Sequence, residues 1–117
     1  MAIQEITYLI FNMKQIKDFP DYYITNKGKV WSYKWKNKPR EIGGVLMGKG
    51  KYKSVTLMID NLKGKHFRIH RLVAKYFVDG YFEGAVVNHK DGNKLNNHYS
   101  NLEWVTQQDN IKHYYGS

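Results

Sequence analysis

A chain of 117 residues with 42% hydrophobic and 15% aromatic side chains can bury the core of one compact domain, or of two small modules sharing a core, so global disorder is not expected. It has no cysteine, which excludes disulfide staples and thiolate-bound zinc and fits an intracellular setting. The formal charge of +9 is concentrated: from Lys27 to Lys75 fourteen Lys or Arg stand against two acids, Glu41 and Asp60, for a net of +12, while residues 1–26 carry −1 and 76–117 carry −2. A field of that sign on one region attracts a polyanion and releases counterions on binding. There is no long amphipathic basic helix to favour a membrane surface as that anion.

In chain order, Ile6 to Phe11 is an apolar run too short to span a membrane, without a basic leader, and is expected to be a strand rather than a signal peptide or anchor. Tyr22–Thr25 and Lys29–Lys34 read as two strands joined by Asn26-Lys27-Gly28, a turn of residues that accept positive φ. The stretch from Lys36 to Gly50 holds Pro39 and four of the ten glycines and reads as irregular loop with a short strand near Val45–Met47. Tyr52–Ile59 and His66–Ile69 alternate around Asp60 to Gly64, a second hairpin, and the strands together suggest one twisted antiparallel sheet. A helix follows in which Leu72, Val73, Tyr76 and Phe77 share one face and Arg71 and Lys75 another, ended by Asp79-Gly80. Aromatics among the lysines, Trp31, Tyr33, Trp35 and Tyr52, are read chiefly as core.

The carboxy-terminal third carries the chemistry. Ala85–His89 reads as a strand, Asn101–Val105 as its partner, and the Gly-, Asn- and Asp-rich stretch between them as a long polar turn. Thr106 with Asp109 three positions on forms a capping-box pattern that opens a helix over 107–115. Amide oxygens of Asn88 and Asn110 suit part of the oxygen shell of a divalent ion, leaving His89 free as a general base, a role that suits histidine because the unperturbed imidazole titrates near neutrality. Asp91 contributes through water or only shapes the turn. His66 and His70 have a spacing that suits zinc on a helix, but no third and fourth ligand follows, and His70 is read as a core or capping residue, with packing near the site as the alternative.

Val87-Asn88-His89-Lys90-Asp91-Gly92-Asn93-Lys94, Asn96-Asn97, Asn101-Leu102-Glu103-Trp104 and Asn110 together resemble the HNH endonucleases, whose His, Asn, His/Asn series would here be His89, Asn101 and Asn110. Ile69 to Phe77 is similar to the helix preceding the motif in phage and intron-encoded members, and Ile16 to Ser32 is similar to a NUMOD4-like amino-terminal module found with them. The resemblance implies an α+β fold: a small twisted antiparallel β-sheet module over 1–68 that binds DNA, then a helix and a ββα-metal nuclease module over 69–117. It implies hydrolysis of a DNA phosphodiester with one divalent ion, Mg²⁺ or Mn²⁺, held by Asn88 and Asn110. His89 would activate water, and Asn101 would tie the loop to the hairpin while the adjacent backbone orients the His89 ring. Double-stranded DNA would be gripped by Lys34, Lys36, Lys38, Arg40, Lys49, Lys51, Lys53, Arg68 and Arg71. The family pattern often has an acid or His where Asn88 stands, and a further ligand where Tyr114 stands. A phage homing-type monomer that nicks one strand in the cytoplasm of a bacterial host is the expectation; the alternatives are a DNA-binding protein with weak or lost catalysis and a dimeric double-strand cleaver.

Overall fold

Two antiparallel sheets, a helix and a terminal hairpin-helix unit make up this computed structural model, which describes residues 12–35, 38–60 and 62–115, the last four as backbone. The strand expected at Ile6–Phe11 lies outside the described residues. The first sheet has the order β1-β2-β3-β4, from β1 (Met13–Ile16), β2 (Phe19–Thr25), β3 (Val30–Ser32) and β4 (Arg40–Ile42). Along β2 the apolar Phe19, Tyr22 and Ile24 are buried, and Val30 and Ser32 do the same from β3. The β2–β3 turn closes with Gly28 at φ +84, where Lys27 N and Lys29 N donate to the Thr25 hydroxyl at 3.3 and 3.0 Å.

β4 falls in the stretch expected to be irregular. Its residues are short and mostly solvent-facing, and it is a strand because β3 offers it a free edge, with Val30 opposite Ile42 and Ser32 opposite Arg40. The second sheet, β5 (Val45–Met47), β6 (Tyr52–Met58) and β7 (Gly64–Arg68), has the order of the sequence. The strands expected in one sheet are thus divided between two. The chain passes from one to the other at Gly43-Gly44, where a Cβ on Gly44 would lie 2.8 Å from both Ile69 Cδ1 and Lys53 Cγ, so only glycine allows that approach.

Helix α1 (Ile69–Phe77) buries Ile69, His70, Leu72, Val73 and Ala74 and leaves Arg71 and Lys75 in solvent, as its periodicity predicts. It ends one residue before the expected stop, with Val78 N donating to Ala74 O at 3.1 Å. The carboxy-terminal unit is β8 (Val86–His89), a 3₁₀ turn (Tyr99–Asn101), β9 (Leu102–Val105) and α2 (Gln107–Tyr115). Thr106 caps α2 as expected, its hydroxyl accepting from Asp109 N at 3.0 Å. One continuous core runs from Ile24 and Val30 through Leu57, Ile69 and Val73 to Val87 and Leu102. It therefore holds both sheets and the final hairpin in fixed relation. No helix among the described residues is long and apolar enough to cross a membrane.

Candidate active site

The β8–β9 hairpin delivers the chemistry. Its register sets Asn88 opposite Glu103 and His89 opposite Leu102. Asn88, His89 and Asn110 meet in one hollow of about 20 Å³, also lined by Tyr52, Val87, Gly92 and Lys94. That volume suits one water or one small ion. Asn88 is buried, and its amide nitrogen donates to Glu103 Oε2 at 3.0 Å, which leaves its oxygen as the end available to a cation. Asn110 sits half-buried in the first turn of α2, its N–H donating to Thr106 O at 3.0 Å. Hard divalent cations take oxygen donors, so two amide oxygens beside a space of this size fit such an ion in part, with water or phosphate completing the shell. Among the described residues no three His, Cys, Asp or Glu gather as a ligand set, so any ion here relies on amide oxygens.

Asn101 ties the loop as expected. Its Nδ2 donates to Asp91 Oδ1 and to Asn96 O, both at 2.9 Å, and its Oδ1 accepts from Asp91 N at 3.1 Å. The Asp91 carboxylate takes a second N–H from Asn93 at 2.7 Å and a third from the Asn96 side chain at 2.9 Å. Hydrogen bonds from the Asn96 side chain, Asn93 backbone and Asn101 side chain hold the Asp91 carboxyl below the usual carboxylate range. Of the two roles open to Asp91, these bonds favour shaping the turn.

The His89 ring is oriented by a group that the motif did not single out. Its Nε2 lies 2.7 Å from Asn97 Oδ1, whereas the backbone oxygen of Asn101 accepts instead from Lys90 N at 2.7 Å. The ring is 5% exposed and packs 5.0 Å from His70, which in turn stacks on Tyr52 at 4.8 Å. Tyr52 carries two cations against its ring, Arg68 at 4.7 Å and Lys94 at 4.9 Å, and Lys94 Nζ also donates to Gly50 O at 2.6 Å. Tyr52 and His70 come from β6 and α1; Tyr52 was expected chiefly in the core, and His70 as a core or capping residue with a place near the site as the other reading. Glu103 was legible in principle, because hairpin pairing sets it across from Asn88.

Burial pushes the pKa of His70 from 6.5 down to about 3, helped by the electrostatic influence of His89, Arg71 and Arg68, while Tyr52 covers its face. His70 is therefore neutral in the fold and titrates normally once unfolded. Between pH 6.5 and about 3 the unfolded chain binds the extra proton, so stability is fully present above 6.5 and falls as pH drops through that window. The slope approaches ~1.4 kcal/mol per pH unit. Urea midpoints from pH 8 to 4 check this: His70→Phe, which keeps a ring, flattens the acid limb, and an unchanged limb contradicts it. His66 is elsewhere, exposed on β7 with Nδ1 2.7 Å from Thr56 Oγ1, so the two histidines form no zinc pair. His98, without a role in the sequence reading, caps the 3₁₀ turn by accepting from Ser100 N at 3.2 Å.

The expected grip divides by position. Lys34, Lys38 and Arg40 are exposed on or before the β4 edge of the first sheet; Lys49 and Lys51 are exposed in the β5–β6 turn, with Lys53 half-buried on β6. Lys36 lies outside the described residues, as do the side chains of His113 and Tyr114. Arg68 and Arg71 instead line a groove of about 570 Å³ together with Lys17, Lys65, Lys75 and His66, and among the described residues no acid lines it. Lys17, Lys65 and Lys75 were not among the expected contacts, because their convergence depends on how β7 and α1 meet β1.

Residues 67–112 match the HNH endonuclease family. The DNA endonuclease I-HmuI of Bacillus phage SP01 is 45% identical over 85% of this chain and 55% of its own length. The H-N-H endonuclease F-TflII of Escherichia phage T5 is 34% identical over 84% of this chain and 49% of its own. A solved structure of the HNH homing endonuclease I-HmuI, described for its DNA binding and cleavage, superposes with a TM-score of 0.74 at 42% identity, covering 86% of this chain and 56% of that one. The chain thus spans about half the length of the curated relatives it matches. Over residues 67–112 the chain carries an HNH endonuclease domain.

Proposed function

We propose that the chain is a metal-dependent DNA endonuclease of the phage homing type that hydrolyses a phosphodiester bond. The observation that carries this reading is the hollow that His89, Asn88 and Asn110 share, lined also by Lys94. His89 takes a proton from the attacking water; Asn101 keeps the loop folded so that the histidine is presented at the hollow. Asn88 and Asn110 would hold a divalent ion, Mg²⁺ or Mn²⁺, through their amide oxygens, and the bound ion would supply charge stabilisation at the scissile phosphate and the leaving 3′ oxygen. Residues 1–68 supply the cationic grip on duplex DNA and 69–117 the nuclease. Lys34, Lys36, Lys38, Arg40, Lys49, Lys51 and Lys53 track phosphates beside Arg68 and Arg71. A monomer working in a bacterial cytoplasm brings one His89 to one strand, and the product is a nick.

Incubation with supercoiled plasmid tests this. Open circles are expected well before linear molecules in Mg²⁺ or Mn²⁺, and neither in chelator. If about six phosphates are neutralised, affinity drops on the order of 10³-fold between 50 and 200 mM salt. Charge removal at Lys51 and Lys53 flattens that dependence more than removal at Lys90. DNA retention without cleavage would indicate a binding protein on the same fold, and immediate linear product with a dimer mass would indicate a paired cleaver.

A further inference from the structure

A neutral imidazole carries its proton on one nitrogen and its lone pair on the other, and only the second can act as a base. In this chain the Asn97 amide oxygen lies 2.7 Å from His89 Nε2, with Asn97 6% exposed and His89 5%. An amide oxygen has no hydrogen to give, so Nε2 must be the donor and the lone pair resides on Nδ1. We propose that Asn97 is a positioning residue that locks His89 in the Nε2–H tautomer, making Nδ1 the atom that receives the proton, and that the β2–β3 turn of the first sheet holds Asn97 in place. The inference rests on the nuclease reading for its catalytic meaning, but its geometry does not.

The second half follows from how closely the turn approaches. A Cβ on Gly28 would lie 2.8 Å from Asn97 Cβ and 3.0 Å from Asn97 O, so the bare backbone of the turn is pressed against Asn97, and its φ of +84 is strained for any other residue. Two residues on, Tyr99 N donates to Asn26 O at 2.8 Å and pins the Asn97 loop to the same turn. Asn101 secures the other side of the loop through Asn96 O. A segment of the amino-terminal sheet thereby sets the geometry of the base, although it lies far from the motif in sequence.

The test reads the tautomer directly. Long-range ¹H–¹⁵N spectra of the full chain, without metal and at a pH where the ring is neutral, are expected to show His89 only as Nε2–H, the signal being assigned by its loss in His89→Gln. Asn97→Leu, which fills the space but accepts no hydrogen bond, is expected to mix the tautomers. It should also slow single-turnover cleavage about 10- to 10²-fold, the usual cost of removing a partner that orients a functional histidine, with Kd for DNA unchanged within a few fold. Asn97→Asp keeps an acceptor oxygen and is expected to restore the tautomer and part of the rate. Gly28→Val should produce the Asn97→Leu spectrum without altering either side chain of the pair. A wild-type His89 in the Nδ1–H form overturns the proposal even if the variants fail to fold, as does a tautomer unmoved in folded Asn97→Leu. A wild type that shows the expected tautomer response but cuts no DNA supports the link and counts against the nuclease reading alone.

Discussion

Replacing His89 by alanine is expected to slow single-turnover DNA cleavage by at least ~10²-fold, the lower range for a positioned general base, while Kd for DNA changes by no more than a few fold. The two effects separate because His89 lines the hollow with Asn88 and Asn110, while the cationic side chains proposed to track phosphates, Lys94 at the hollow not among them, lie on the sheets and along the groove beside α1. The substitution also has a structural cost. It removes the contact with His70 at 5.0 Å and leaves the buried Asn97 amide oxygen without its donor, a loss of about 1–3 kcal/mol. Rates should therefore be compared well below the melting temperature of the variant, with His89→Gln as a larger replacement that fills more of the site. Equal losses of binding and cleavage would make His89 a structural residue.

Asn101→Ala is expected to lower folding stability by about 3 kcal/mol. Three hydrogen bonds of 2.9 to 3.1 Å converge on its buried side chain, and alanine leaves Asn96 O and Asp91 N without that partner. The shape of the residue is not the issue. Asn101→Asp has the same outline, yet it turns two donors into acceptors facing Asp91 and the Asn96 carbonyl, so at neutral pH it should destabilise at least as much. Cleavage should fall in both variants, because the loop also carries Asn97. Denaturant midpoints that move by less than ~1 kcal/mol would show that the loop is held by its backbone alone.

The nuclease unit was legible in the sequence because its parts are neighbours. Valines of one strand, a turn of Gly, Asn and Asp, a Thr106 cap with Asp109 three residues on, and amphipathic α1 are all local patterns, and each element lies within a residue or so of its expected bounds. For the same reason Asn88, His89 and Asn110 could be named in advance, since a hairpin and one helical turn bring them together, while Asn101 was named by the family resemblance. β1 and β4 could not. They have four and three residues, mostly exposed, and their only reason to be strands is an edge offered by β2 or β3.

What the order of residues determined by itself is therefore the ββα unit, its histidine and amides, and a basic segment ahead of it. The tertiary structure alone decided that the segment forms two sheets, parted at Gly43-Gly44, and that Tyr52 and His70 stack toward His89. It alone set the Gly28 turn against Asn97, and Lys17, Lys65 and Lys75 around one groove. The physical reason is common to all of these. Periodicity and capping act over a few residues, whereas such contacts arise only when a shared core from Ile24 to Leu102 packs distant segments together, and packing depends on shape that no short pattern encodes.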